Sequence, residues 1–131
     1  MALGASGVVI GTWFLIPKES GIFQGHKKQL LYAKETDTTI TKVFTALPAR
    51  VLRNRFVEEY TKSEVEYLEW PLQHAINEDT FNAQNKNIPD YYPLFSVQDL
   101  QMLKADQSAE EIIKEIIDKV EEQVRKSNNL W

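Results

Sequence analysis

Apolar positions along this chain follow two different periods. Near its end, Ile112, Ile113, Ile116, Ile117, Val120 and Val124 recur at helical spacing. Ser108-Ala109-Glu110-Glu111 precedes them, a serine and a glutamate three residues apart that can cap each other's backbone N–H groups. The pattern predicts a helix over about Ala109 to Lys126, within a terminal segment 108–127. Near the start, Val8, Val9 and Ile10 follow one another without a polar break. Such a β-branched run reads as a strand buried on both faces, as in a parallel sheet, followed by a loop, over residues 7–16.

The middle of the chain mixes the two periods. His26 to Lys34 predicts a short amphipathic helix with Leu30, Leu31 and Ala33 inward, and Thr38 to Thr45 a second strand with Ile40, Val43 and Phe44 as its apolar positions. Pro48 suits the first turn of a helix from Ala49 to Tyr60 that buries Val51, Leu52, Phe56, Val57 and the stem of Arg55, closing a segment 26–60. A segment 63–103 then reads as a helical insertion and loop. In it a third helix begins at Ser63-Glu64-Val65-Glu66 and is broken at Pro71. A further helical stretch covers Leu72 to Asn82, a polar loop Asn82 to Pro93, and a short helix Leu94 to Leu103.

Two strands do not close a sheet. A strand buried on both faces needs neighbours on each side, and parallel neighbours need crossovers of roughly a dozen residues or more. Met1 to Ser6 has no room for one. The strands that flank Val8–Ile10 are therefore expected to lie outside this chain.

Composition removes several function classes. The 131 residues contain no cysteine, which excludes disulfides, thiolate nucleophiles and cysteine-based zinc sites. The net charge is −4, with acids and bases interspersed, so the basic face of a nucleic-acid binder is absent. The largely apolar run Val8 to Ile16 is far shorter than the ~20 residues of a membrane-spanning helix. No basic residue precedes Val8, as a signal peptide would require, so a cytoplasmic protein with no membrane partner is expected.

Candidate chemistry concentrates where the first apolar run ends. Gly4, Gly7 and Gly11 are three of the five glycines. Gly11 removes a Cβ and lets an anionic group approach the backbone, while Thr12 adds a hydroxyl donor. The stretch GASGVVIGTWFLIPKES, residues 4 to 20, resembles the flavin-phosphate strand and loop of nitronate monooxygenases, formerly called 2-nitropropane dioxygenases. The resemblance continues through His26-Lys27-Lys28-Gln29-Leu30-Leu31 and through DTTITKVFTALPARVLRNRF, residues 37 to 56, and more faintly from Tyr91 to Gln98.

The resemblance implies an α/β fold: a carboxyl-terminal fragment of a (β/α)8 TIM barrel, mostly helical with one or two short strands. In such barrels the loops after the last strands often hold a phosphate. Val9, Ile10, Gly11 and Thr12 are thereby implied as the FMN phosphate site, through backbone N–H groups and the Thr12 hydroxyl. Val9 stands where many relatives carry a glutamine. Gln98 matches a family glutamine at the flavin end of the pocket, with Val97 in the place of a glycine. Arg50, Arg53 and Asn54 match the family pattern and read as residues that cap or pin loops, although Ala46-Leu47 replaces a common Gly-Arg pair.

The family's catalytic base is a histidine on a barrel strand not represented here. His26 and His74 stand in no matching motif and read as surface or helix-cap residues, so no catalytic residue is assigned. Glu58-Glu59 and Glu110-Glu111 read as solvated helix faces, and no metal site is expected. The implied activity is FMN-dependent oxidation of alkyl nitronates with dioxygen, giving a carbonyl compound and nitrite, with the isolated chain inactive. The alternative is a small helical interaction protein whose orphan strand pairs with a partner chain, or drives self-association.

Overall fold

The structure, a computed structural model, describes residues 6–128, and side chains as far as Lys126. Gly4 lies outside the described residues. The chain divides into two compact units, one from Ile22 to Leu103 and one formed by the segments before Ile22 and after Leu103.

In the first of these units, α1 covers Gln24–Tyr32, within a residue or two of the expected helix. The Thr-rich segment forms β1, Thr38–Thr41, which pairs antiparallel with β2, Ala49–Leu52, placing Thr38 opposite Leu52 and Ile40 opposite Arg50. This corrects the helix expected from Ala49. Ala46 takes a left-handed conformation with φ 65° and turns the chain back, so residues 49–52 find backbone partners on β1. The helix waits for a better start. Asn54 supplies it, its side chain accepting the Val57 N–H at 3.1 Å, and α2 runs Arg55–Lys62.

Beyond α2 the expected third helix is absent. Ser63 caps α2 through its N–H to the Glu59 and Tyr60 carbonyls, and Glu64 with φ 55° turns left-handed, leaving 65–69 non-helical and exposed. The stretch Leu72 to Asn82 divides into α3, Leu72–Ile76, and α4, Glu78–Asn82. Asn77 separates them because its buried amide is committed elsewhere, to the Val43 carbonyl at 2.7 Å. Gln73, fully buried, donates to the same carbonyl at 2.7 Å and accepts the Leu68 N–H at 2.9 Å. Around that point Val43, Phe44, Val51 and Val57 form the core, with Phe56, Tyr60 and Phe81 packed on it.

The helix expected over Leu94 to Leu103 shrinks to a single 3-10 turn, Leu100–Met102. The free edge of β2 claims the rest. Leu52 N–H donates to the Leu94 carbonyl at 2.9 Å, Ser96 N–H to the Arg50 carbonyl at 3.2 Å, and Phe95 bridges Val51.

In the other unit, α5 spans Ala109–Asn128, and its capping box forms as the spacing predicts. Glu111 N–H donates to Ser108 Oγ at 3.1 Å, and Ser108 N–H donates back to the Glu111 carboxylate at 2.7 Å. These bonds hold the Glu111 carboxyl below the usual range. Glu115 accepts from Lys104 at 2.6 Å, Lys119 at 2.7 Å and Gln107 at 2.8 Å, which lowers its pKa to about 2.

Val8–Ile10 is a correction. These residues belong to no strand among the described residues, and Val8 and Val9 are 70% and 103% exposed. A strand exists only where a neighbour takes up its N–H and C=O groups, and no described segment does so here.

Two substitutions probe these arguments. Ala46→Gly removes the left-handed penalty and should raise stability by about 1 kcal/mol in urea unfolding. Asn54→Ala deletes the cap of α2 and two donations, to the Pro89 carbonyl at 3.0 Å and the Tyr92 carbonyl at 2.8 Å. It should cost about 2–3 kcal/mol in the same assay.

Candidate functional site

Gly11 is the most informative of the implied phosphate residues. Its φ of −107° and ψ of −65° are open to any residue, and a Cβ built there would meet nothing within 4 Å. Neither backbone strain nor packing calls for a glycine at this point. What the glycine provides is open space on an exposed backbone. Directly after it, Thr12–Leu15 forms a 3-10 turn closed by the Phe14 N–H on the Gly11 carbonyl at 2.9 Å. The N–H groups that open such a turn have no partner within it and suit an anion.

The neighbours divide. Val9 is fully exposed and Ile10 half-buried, so both offer backbone but no polar side chain. Thr12 is buried, which draws its side chain into the unit rather than leaving the hydroxyl on the surface with Gly11. The donor set therefore fits a phosphate through main-chain groups. Gln98 belongs to the other unit and lies exposed just before the Leu100–Met102 turn, its carbonyl accepting the Leu100 N–H at 2.9 Å.

The PARVLRNRF residues are structural. Arg50 reaches across the ladder to Thr38 Oγ1 at 2.9 Å, Arg53 uses its N–H on the Asp37 carbonyl at 2.8 Å, and Asn54 ties α2 to the Pro89–Tyr92 loop.

His26 differs from the expected surface residue: it is buried. Its Nε2 lies 3.1 Å from the Phe95 carbonyl, which can only accept, so Nε2 carries the hydrogen. That leaves Nδ1 as a buried acceptor without a partner. Desolvation, only partly offset by the Phe95 bond, lowers the His26 pKa from 6.5 to about 4. Phe23 and Tyr92 pack on the ring at centroid distances of 6.1 and 5.8 Å, and burial pushes the Tyr92 phenol up. Beside it Gly25 is required, since a Cβ would meet Phe23 Cε2 at 2.6 Å and Asn87 Oδ1 at 2.8 Å. A glycine directly before a histidine was the available signal, and the surrounding lysines masked it. His74 is a half-buried residue of α3, stacked on Phe81 at 4.6 Å.

An unforeseen open groove of about 650 Å³ lies on the Ile22–Leu103 unit, with Leu47, Tyr60, Glu64, Tyr67 and Trp70 among its walls. No sequence signal pointed to it, because residues 63–70 carry a helix-like pattern. Among the described residues no three His, Asp or Glu side chains converge as metal ligands would. No described helix is long and apolar enough to cross a membrane.

Solved structures place this fold in a class. FabK from Thermotoga maritima superposes with a TM-score of 0.81 and 26% identity, over 99% of this chain and 42% of that one. Nitroalkane oxidase from Streptomyces ansochromogenes matches with a TM-score of 0.73 and 28% identity, over 85% of this chain and 32% of that one. Both are TIM-barrel enzymes.

Sequence relatives narrow the class. The profile of the nitronate monooxygenase family matches residues 1–119. A probable nitronate monooxygenase of Staphylococcus saprophyticus is 34% identical over 93% of this chain, and one of Bacillus subtilis is 32% identical over 88%. The chain belongs to the nitronate monooxygenase family. It spans about a third, 34%, of the length of each of those two relatives.

The buried imidazole has a pH consequence. His26 stays neutral in the folded chain while the unfolded chain takes up a proton near pH 6.5. Stability should therefore be complete above about pH 6.5 and fall as pH drops toward about 4, by about 3 kcal/mol in full. His26→Gln keeps a donor for the Phe95 carbonyl and should flatten the decline between pH 6.5 and 4.5 in urea unfolding.

Proposed function

We propose that this chain forms the cofactor-phosphate end of an FMN-dependent, nitronate-oxidising barrel and has no turnover by itself. The observation that carries the proposal is the exposed opening at Gly11, set in a stretch that falls within the family match. The main-chain groups from Val9 to Thr12 would hold the phosphate.

Bound FMN would supply the redox chemistry, taking electrons from an alkyl nitronate in a reaction with dioxygen that yields a carbonyl compound and nitrite. This chain's part is binding and orientation. His26 is excluded as the base by its burial and lowered pKa, and His74 is packed against Phe81, so the proton-abstracting group must come from elsewhere in the barrel.

The exposed Val8 and Val9 support the same reading, since they suit pairing with barrel strands not found among the described residues. The proposed partners are thus a small nitronate, dioxygen and a complementary barrel segment, in the cytoplasm, with neither nucleic acid nor membrane. An interaction protein that offers the same apolar run to another chain is the second reading, favoured by the exposure of Val9.

The test is FMN fluorescence titrated with the chain alone, alongside a nitrite assay with an alkyl nitronate. Weak quenching that fails to saturate at micromolar protein, with no nitrite, is the expected result. A micromolar dissociation constant or measurable nitrite would overturn the proposal.

A further inference from the structure

One row of α5 is apolar and uncovered. Ile113, Ile117, Val120 and Val124 follow at steps of four, three and four residues, and each is between 42% and 52% exposed. That is the spacing of the seam along which two helices pack. The row is distinct from the side that α5 turns toward its own unit, where Ile112 is 3% exposed. Opposite the row, the exposed ion pair Glu122–Lys126 at 2.6 Å marks the solvated face. The family match ends at residue 119, so Val120 and Val124 lie beyond it.

Charge decides what fits. At 100° per residue, Lys114 and Glu121 both flank the row on one side. Lys114 makes no ion pair among the described residues, and Glu121 meets Arg125 only at a loose 3.6 Å. Consider a second α5 laid antiparallel so that Ile117 meets Val120 of the second copy. The same register brings Ile113 against the second copy's Val124. It also brings Lys114 within about one helical turn of the second copy's Glu121, and two-fold symmetry repeats the pair. A parallel two-fold arrangement carries the second copy's Lys114 and Glu121 to the opposite side of the seam, beside Ile116 and Gln123 rather than each other, and offers no such match.

We propose that the occupant of this row is a second copy of the chain, joined through α5 in an antiparallel pair. The apolar row supplies the contact, and the two Lys114–Glu121 pairs select the orientation. The inference does not rest on the flavin reading.

Sedimentation velocity of the full chain over a concentration series tests it. A reversible monomer–dimer equilibrium in the micromolar range is expected. Lys114→Glu should raise the dimer dissociation constant about tenfold, and adding Glu121→Lys to it should restore the original value. Because the chain has no cysteine, orientation can be read directly. Chains carrying Ile117→Cys mixed with chains carrying Val120→Cys should form the mixed disulfide in preference to either symmetric one. A monomer at all concentrations would overturn the proposal, as would open-ended assembly, which points to Val8–Ile10 instead. So would association indifferent to both charge variants, or preferential symmetric crosslinks.

Discussion

The Val43 carbonyl is the point on which the Ile22–Leu103 unit turns. Two buried side-chain amides, from Gln73 and Asn77, each donate to it at 2.7 Å. A buried amide without a partner would cost about 1–3 kcal/mol, so both side chains are held where that oxygen is. Gln73 in turn fixes the Leu68 N–H, and Asn77 separates α3 from α4. The short helices after Pro71 are too brief to persist by their own backbone bonds. They are located by polar contacts to the β1–β2 connection, beside the core of Val43, Phe44, Val51 and Val57.

How far such an arrangement can be read from a sequence depends on the range of the interaction. The capping box at Ser108 and Glu111 is local, three residues wide, and the structure forms it where the spacing predicts. Pro71 likewise precedes α3, and α1 lies close to its expected place. The errors are of a different kind. Ala49–Leu52 carries an apolar doublet that suits a helix or a strand, and only the turn at Ala46 and the ladder to β1 decide between them. Residues 94–96 become strand-like because β2 has a free edge, a fact about another part of the chain. Glu64 adopts a left-handed conformation that few residues other than glycine announce.

The candidate site divides along the same line. The glycine-threonine exit at Gly11 could be found from residue types alone, as could the pinning role of Asn54. That Thr12 is buried, that Val9 projects into solvent, and that His26 is enclosed could not, because each depends on contacts distant in sequence. His26 shows this most clearly. Its hydrogen-bond partner at Phe95 lies 69 residues away, and a run of lysines beside it suggests an exposed helix face.

Acid should reach His26 well before it reaches Glu115. The glutamate at position 115, with three donors around it, keeps its negative charge down to about pH 2, so its bonds to Lys104, Gln107 and Lys119 survive mild acidification. The imidazole at position 26 has no comparable protection, since any proton it gains must reside in a dry interior. Between those limits, acid weakens the surroundings of one side chain while the bonds around the other persist.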